Sequence, residues 1–379
     1  MVKLLKQPAL TTVRPSIGNP DDGRVRDGSD IVAPPVFAPI APAAQADFAR
    51  DKHRYEMVDV VRFFAAAGVV FVHAIESKTL DRWSYMARFA VSFYMFAALY
   101  FQARSFKRDP SKPLLGYVLS RLHRLYLPFV AWSCIYLAAR NVKRLAMLDR
   151  SPVRLSPTLL FSGGDYHLWF LPFLLVTSIL TACLLKATIL RDQRWRWPLI
   201  GAFTCAGIGF CFFQVPASFS PDFKNNNLYG LWQAWYTIPS FFLGVAFALF
   251  MAMGAKNYRV PNWLAACGIV VTLCALSYQV YANHYVQFPR AMSGLGCVLI
   301  ALAAWHGPIL HQIARLGRYG YGIYLSHILA VEVMHAILHH TRVPSSAYVD
   351  VATFAVSFPI AIAIARTLSR TKKLAWLNG

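Results

Sequence analysis

An arginine and a histidine stand eleven residues apart in the apolar stretch MVDVVRFFAAAGVVFVHAIES, residues 57–77. Arg62 carries a planar fork of donors suited to phosphate oxygens. His73 carries a ring nitrogen able to take a proton from a hydroxyl or to accept an acyl group. A helix turns about 100° per residue, so the two return to within about 20° of each other, about 16 Å apart along the axis. Asp59 and Glu76 fall within about 60° of them on the same wheel. Between Arg62 and His73 that stripe holds the small residues Ala66 and Val69. Intramembrane ionisable groups are costly and face a cavity or a partner. Two readings stay open on spacing alone. Arg62 is either a snorkelling residue paired with Asp59 at i,i+3 or one end of a site whose other end is His73.

Three further stretches carry usable chemistry. LGYVLSRLHRLYLPFVAW sets Arg121 and Arg124 one turn apart, a spacing that suits a phosphate or pyrophosphate as well as ordinary loop charge. GGDYHLWFLPFLL holds Asp165, His167 and Trp169, and LGRYGYGIYLSHILAVEV holds Tyr324, Ser326, His327 and Glu332. A carboxylate such as Glu332 needs a partner in hydrocarbon, either His335 at i,i+3 or an arginine from another helix. Glu76, three residues after His73, is within reach to orient it as a carboxylate behind a catalytic imidazole. Its plainer reading is a solvated acid just past the helix end.

The elements that must position these groups follow from composition. Of 379 residues, 57% are hydrophobic and only 15% charged, with a mean hydropathy of +0.42. Soluble proteins carry about 25% charged residues. The chain therefore reads as an all-α polytopic membrane protein. A helix spans a bilayer with about twenty apolar residues, and about ten such runs are present. They start near Met57, Tyr85, Leu114, Leu168, Trp197, Leu231, Trp263, Ala291, Tyr321 and Ala347. The net charge of +21 lies mainly between these runs, as in SFKRDPSKP and LSRTKK. That placement reads as cytoplasmic loop charge, with both termini cytoplasmic. No aromatic-basic array points to nucleic acid. The seven cysteines show no C-x-x-C spacing and read as apolar residues, so no metal is expected. Residues 1–54, rich in Pro and Ala, read as a disordered cytoplasmic tail without a secretory signal. Residues 55–369 read as the membrane domain and 370–379 as a cytoplasmic tail. The basic connection 140–167 falls outside and is long enough for a short amphipathic helix in the interface.

At these residues the sequence resembles the acyltransferase-3 family of polytopic membrane enzymes that O-acylate glycans. The family's Arg-x10-His pattern is matched by Arg62 and His73, and its Arg-x-x-Arg pattern by Arg121 and Arg124. HLWFL, at His167 to Leu171, and YGIYLSH, at Tyr321 to His327, are similar to two further landmarks. The chain departs from the family in DVVRFF, which lacks the glycine commonly found after the arginine. No SGNH-type hydrolase domain is visible, so transfer straight to the acceptor is expected.

The resemblance implies a cytoplasmic acyl-CoA donor, acetyl-CoA or succinyl-CoA. Arg62, Arg121 and Arg124 would hold its phosphates, and its pantetheine arm would thread past Ala66 to His73. It implies a carbohydrate acceptor at the outer face of the inner membrane, near Asp165, His167, Trp169 and His327. Exopolysaccharide, lipopolysaccharide and periplasmic glucan are the acceptor classes, with polysaccharide synthesis or export machinery as a partner. A transporter or exporter is the competing class. Secondary transporters usually repeat their halves, and residues 230–370 hold no second copy of the first- or third-run pattern. A membrane scaffold for polysaccharide export, the third class, would have no need of His73.

Overall fold

The computed structural model describes residues 56–146, 156–213, 229–254, 260–283 and 286–378. The tail expected over 1–54 lies outside the described residues. Helices α1 (Glu56–Ala74), α2 (Lys78–Ser84) and α3 (Phe89–Arg108) come first. Next, α4 (Leu114–Arg121) runs through a π-helical turn, Leu122–Tyr126, into α5 (Leu127–Ala146). A four-residue helix α6 (Leu159–Ser162) and a 3-10 turn, Tyr166–Trp169, lead into α7 (Phe170–Ala187). The chain continues through α8 (Arg196–Phe212), α9 (Tyr229–Trp235), α10 (Ile238–Gly254), α11 (Asn262–Ala282) and α12 (Gln287–Ala301). It closes with α13 (Pro308–Gly317), α14 (Gly320–His340), α15 (Ala347–Arg370) and a 3-10 turn, Ala375–Asn378. Among the described residues there is no strand, only one isolated bridge between Val260 and Ala303.

By length and hydropathy five segments qualify as membrane crossings, against the ten expected: α1, Tyr166–Ala187, α11, α14 and α15. The remaining apolar runs form helices that are shorter, such as the 17-residue α10, or more polar overall, such as α3. Residues 147–155 of the connection 140–167 lie outside the described residues; the described part holds the end of α5 and the four-residue α6, with Leu160 and Phe161 exposed.

Helix α3 is the hub. Phe93, Phe96, Leu99, Tyr100 and Phe106 are all at most 1% exposed, so α3 buries a broad apolar face inside the bundle. Ser92 on α3 meets Ser240 on α10, hydroxyl to hydroxyl at 2.8 Å. Small polar residues at such crossings let membrane helices approach closely.

The site depends on α1 and α14, which run parallel. A Cβ at Gly317, just before α14, would overlap the carbonyl oxygen of Asp59, and one at Gly320 would sit beside Arg62. At the far end His335 reaches the carbonyl of Ala74 at 3.4 Å. Helix α15 seals the pair by packing Ala361 and Ala365 against Ala66, Val70, Ile323 and Val331.

Two local devices complete the frame. Pro128 lacks the N–H that would bond the carbonyl of Arg124. The chain widens to a π-turn there, with Leu127 N–H bonding Leu122 O, and Tyr321 Oη donates to the Arg124 carbonyl at 3.3 Å. Of the expected cytoplasmic tail 370–379, residues 375–378 instead fold back on the helices. Trp132 Nε1 donates to the Leu377 carbonyl at 3.1 Å, and Asn378 Nδ2 donates to the Ala365 carbonyl at 2.7 Å. Leu377 is buried, which gives this turn an apolar reason to return.

The α1–α13 contact is open to test. Gly317→Ala is expected to destabilise the protein by about 1–3 kcal/mol through overpacking against backbone. Gly201→Ala, with nothing within 4 Å of the added carbon, leaves the melting temperature unchanged or slightly higher. Thermal unfolding of both variants in detergent checks the contrast.

Candidate active site

The turn before α7 sets the first group. Gly163 adopts φ 82°, a conformation that favours glycine, and a Cβ at Gly164 would overlap the carbonyl of Ser133 on α5. The SGGD turn therefore lies flush on α5. Asp165 follows in extended conformation and points its carboxylate at two partners. Arg140 Nη2 on α5 is 3.3 Å from one oxygen, and His167 Nδ1 is 3.1 Å from the other. Burial pushes the Asp165 carboxyl up, and the hydrogen bond and charge of His167, with the charge of Arg140, more than offset this. The net effect holds it below the usual carboxylate range.

A carboxylate facing Nδ1 selects the tautomer with the proton on that nitrogen, leaving Nε2 basic. The Nε2 of His167 is buried and has no hydrogen-bond partner among the described residues. His327 on α14 repeats the arrangement by other means. Its Nδ1 lies 2.8 Å from the Tyr324 carbonyl and 3.2 Å from that of Ile323. Carbonyls only accept, so Nδ1 donates and the buried, unpartnered Nε2 is the basic nitrogen.

His73, at the end of α1, completes a triangle. Its ring centroid is 5.1 Å from His327 and 6.3 Å from His167, and those two are 5.0 Å apart. His73 Nδ1 lies 2.8 Å from Tyr166 Oη. Tyr136 meets His167 edge-on at 5.1 Å and donates to the Leu325 carbonyl at 2.6 Å, while Tyr324 Oη donates to the His167 carbonyl. A cavity of about 730 Å³ opens on this cluster, lined by His73, Tyr166, His167, Trp169, Arg88 and Arg290 among others. Arg290 is buried. Among the described residues no group of three or more His, Cys, Asp or Glu is arranged to hold a metal ion.

The structure thus brings His73, Asp165, His167, Trp169 and His327 together. It places Glu76 elsewhere. Helix α1 ends at Ala74, so the helical wheel does not extend to Glu76. The backbone N–H groups of Glu76 and Ser77 donate to the buried carboxylate of Asp350 at 3.1 Å each, which turns the chain away. The Glu76 carboxylate then meets His335 at 3.2 Å and His339 at 3.5 Å. The carboxylate that backs an imidazole in this cavity is Asp165, behind His167.

The arginines also have local partners. Arg62 pairs with Asp59 at 2.9 Å, the i,i+3 alternative, with its side chain 42% exposed. Arg121 Nε donates to Tyr117 Oη at 2.9 Å and its guanidinium lies over that ring. Arg124 is exposed, and no described contact joins it or Arg121 to Arg62. Ala66 is sealed under α15, so the stripe between Arg62 and His73 is packed at that level; Val69, nearer His73, lines the cavity. Glu332 pairs with Lys143 at 2.7 Å instead of His335 or an arginine.

Sequence reasoning did not single out Tyr166, Tyr136, Arg140, Arg88, Arg290 or Asp350. Asp350 and Arg290 were visible as isolated charges beside apolar runs, a signal for a buried partner or a cavity. The others needed the fold.

The acyltransferase domain model matches residues 55–366. This chain belongs to the acyltransferase-3 family. No curated protein and no solved structure matches it significantly. The acyltransferase-3 match runs from the start of α1 into α15, so every member of the histidine cluster lies inside it. The apolar helices and the family together make this a membrane protein of an acyltransferase family.

Acid should expose the role of Asp165. Its folded-state pKa is depressed, so its stabilising contribution is present above the ordinary value of about 3.9 and is lost as pH falls through the lower folded value. The melting temperature of the wild type is expected to fall more steeply below about pH 4 than that of Asp165→Asn.

Proposed function

We propose that this acyltransferase-3 protein is an inner-membrane, multi-pass O-acyltransferase. It moves an acetyl or succinyl group from cytoplasmic acyl-CoA to a hydroxyl of a surface or periplasmic glycan. The observation that carries this reading is a triangle of imidazoles of which His73 and His167 line one cavity and His327 lies buried behind them, with unpartnered nitrogens on His167 and His327. The cavity lies at the end of α1 opposite Arg62, which under this reading is the outer end.

In the tautomer where His73 Nδ1 donates to Tyr166 Oη, its other nitrogen takes the proton of the acceptor hydroxyl. The oxygen then attacks the thioester carbonyl. Arg88 and Arg290 put positive charge on the wall of the cavity where the oxyanion forms. Collapse breaks the C–S bond, and the imidazolium returns its proton to the leaving thiolate. Asp165 holds His167 in one orientation beside this centre, and His327 is held by its own helix turn. Trp169 offers a flat apolar face to a sugar ring. The donor phosphates sit at the Arg62 end, with Arg121 and Arg124. The arm reaches His73 on the Val69 side of α1, since the Ala66 side is packed.

Release of free CoA thiol by purified protein, dependent on both acyl-CoA and glycan, tests the reaction. His73→Ala is expected to lower turnover by about 10²–10⁴-fold, the usual worth of a general base, with acyl-CoA binding retained. Wild-type turnover in that variant would remove His73 from the chemistry. Arg124→Ala is expected to raise KM for the donor before it lowers kcat. A burst of free CoA ahead of acylated glycan would show His73 carrying the acyl group instead.

A further inference from the structure

Four arginines gather at the end of the structure that holds the start of α1. Arg315 and Arg318 stand at the end of α13, and Arg366 and Arg370 stand one turn apart near the end of α15. Together with Gln312 and Tyr319 they line a concavity of about 320 Å³. Three of the basic residues named above are paired with carboxylates: Arg62 with Asp59, Arg140 with Asp165 and Lys143 with Glu332. No carboxylate pairs with any of the four among the described residues.

A helix C-terminus favours a nearby cation, which accounts for each arginine singly. It does not account for two helices turning theirs into one hollow, because like charges at helical spacing repel. The hollow is also braced. Gly317 locks the end of α13 against the Asp59 carbonyl, and Asn378 Nδ2 bonds the Ala365 carbonyl and Ser369 Oγ beside Arg366. Guanidinium forks carried on braced helix ends around a small concavity can converge on the oxygens of a phosphate or pyrophosphate group.

We propose that the hollow between the ends of α13 and α15 binds a phosphate-bearing anion. The anion is either a phosphate group of the acyl donor or the headgroup of an anionic phospholipid. The first source rests on the donor assignment made above; the second does not.

The full-length protein is purified in detergent, and binding is measured with CoA and, separately, with phosphatidylglycerol against phosphatidylcholine. Arg366→Gln/Arg370→Gln is compared with Arg366→Lys/Arg370→Lys, which keeps the charge. Loss of two surface arginines is expected to weaken the true ligand by about 30-fold, with the lysine pair losing less. A fall in CoA affinity with phosphatidylglycerol retention unchanged assigns the donor phosphate. The converse assigns the lipid headgroup, and it does so even if the wild type binds no CoA and the donor assignment fails. Both affinities unchanged in the glutamine pair overturns the site. If that pair does not fold, Arg315→Gln/Arg318→Gln on the other helix is read in the same way.

Discussion

Taking a carboxylate out of water costs several kcal/mol unless charges and donors replace the lost hydration. Asp165 meets that demand with one oxygen toward Arg140 and the other toward His167. Much of the site follows. The pairing fixes which nitrogen of His167 carries the proton, and so leaves the other one basic, buried and without a partner among the described residues. It also ties the turn before α7 to α5, where Gly163 and Gly164 allow the backbone to lie close enough. Remove the carboxylate and His167 loses both its orientation and its tautomer.

The second requirement is that His73 and His327 share a level, and backbone packing supplies it. Helices α1 and α14 run parallel, brought close where Gly317 at the end of α13 meets Asp59 and Gly320 meets Arg62. Buried Asp350 holds the chain at the other end by taking the N–H groups of Glu76 and Ser77. Buried backbone N–H groups need a hydrogen-bond partner, and the carboxylate of Asp350 supplies it for the turn that follows His73.

Much of the candidate site was legible because its residues are chemically out of place. His73, His167 and His327 stand out as ionisable groups in or beside apolar runs; Arg62, Arg121 and Arg124 stand out in the same way, and none of them lines the cavity. The family pattern joined them in order, and the family is confirmed over residues 55–366. What escaped was pairing. Spacing put Glu76 one turn from His73, but the helix had already ended at Ala74. Spacing offered Glu332 a histidine on its own helix, and the fold gave it Lys143 from another. Ala66 looked like a gap because it is small, and α15 filled it.

Composition and hydropathy by themselves determined that the chain is helical and built for a membrane, because both are sums over residues that need no partner. Local chemistry likewise marks Pro128 as a residue without an N–H to give the helix, whereas the π-turn there belongs to the fold, since Pro359 sits inside α15 without one. Only the tertiary structure decided which carboxylate stands behind which imidazole, and that residues 375–378 return to the helices. Those outcomes are set by contacts between segments up to 274 residues apart, such as Glu76 with Asp350, and helical periodicity has no reach beyond its own helix.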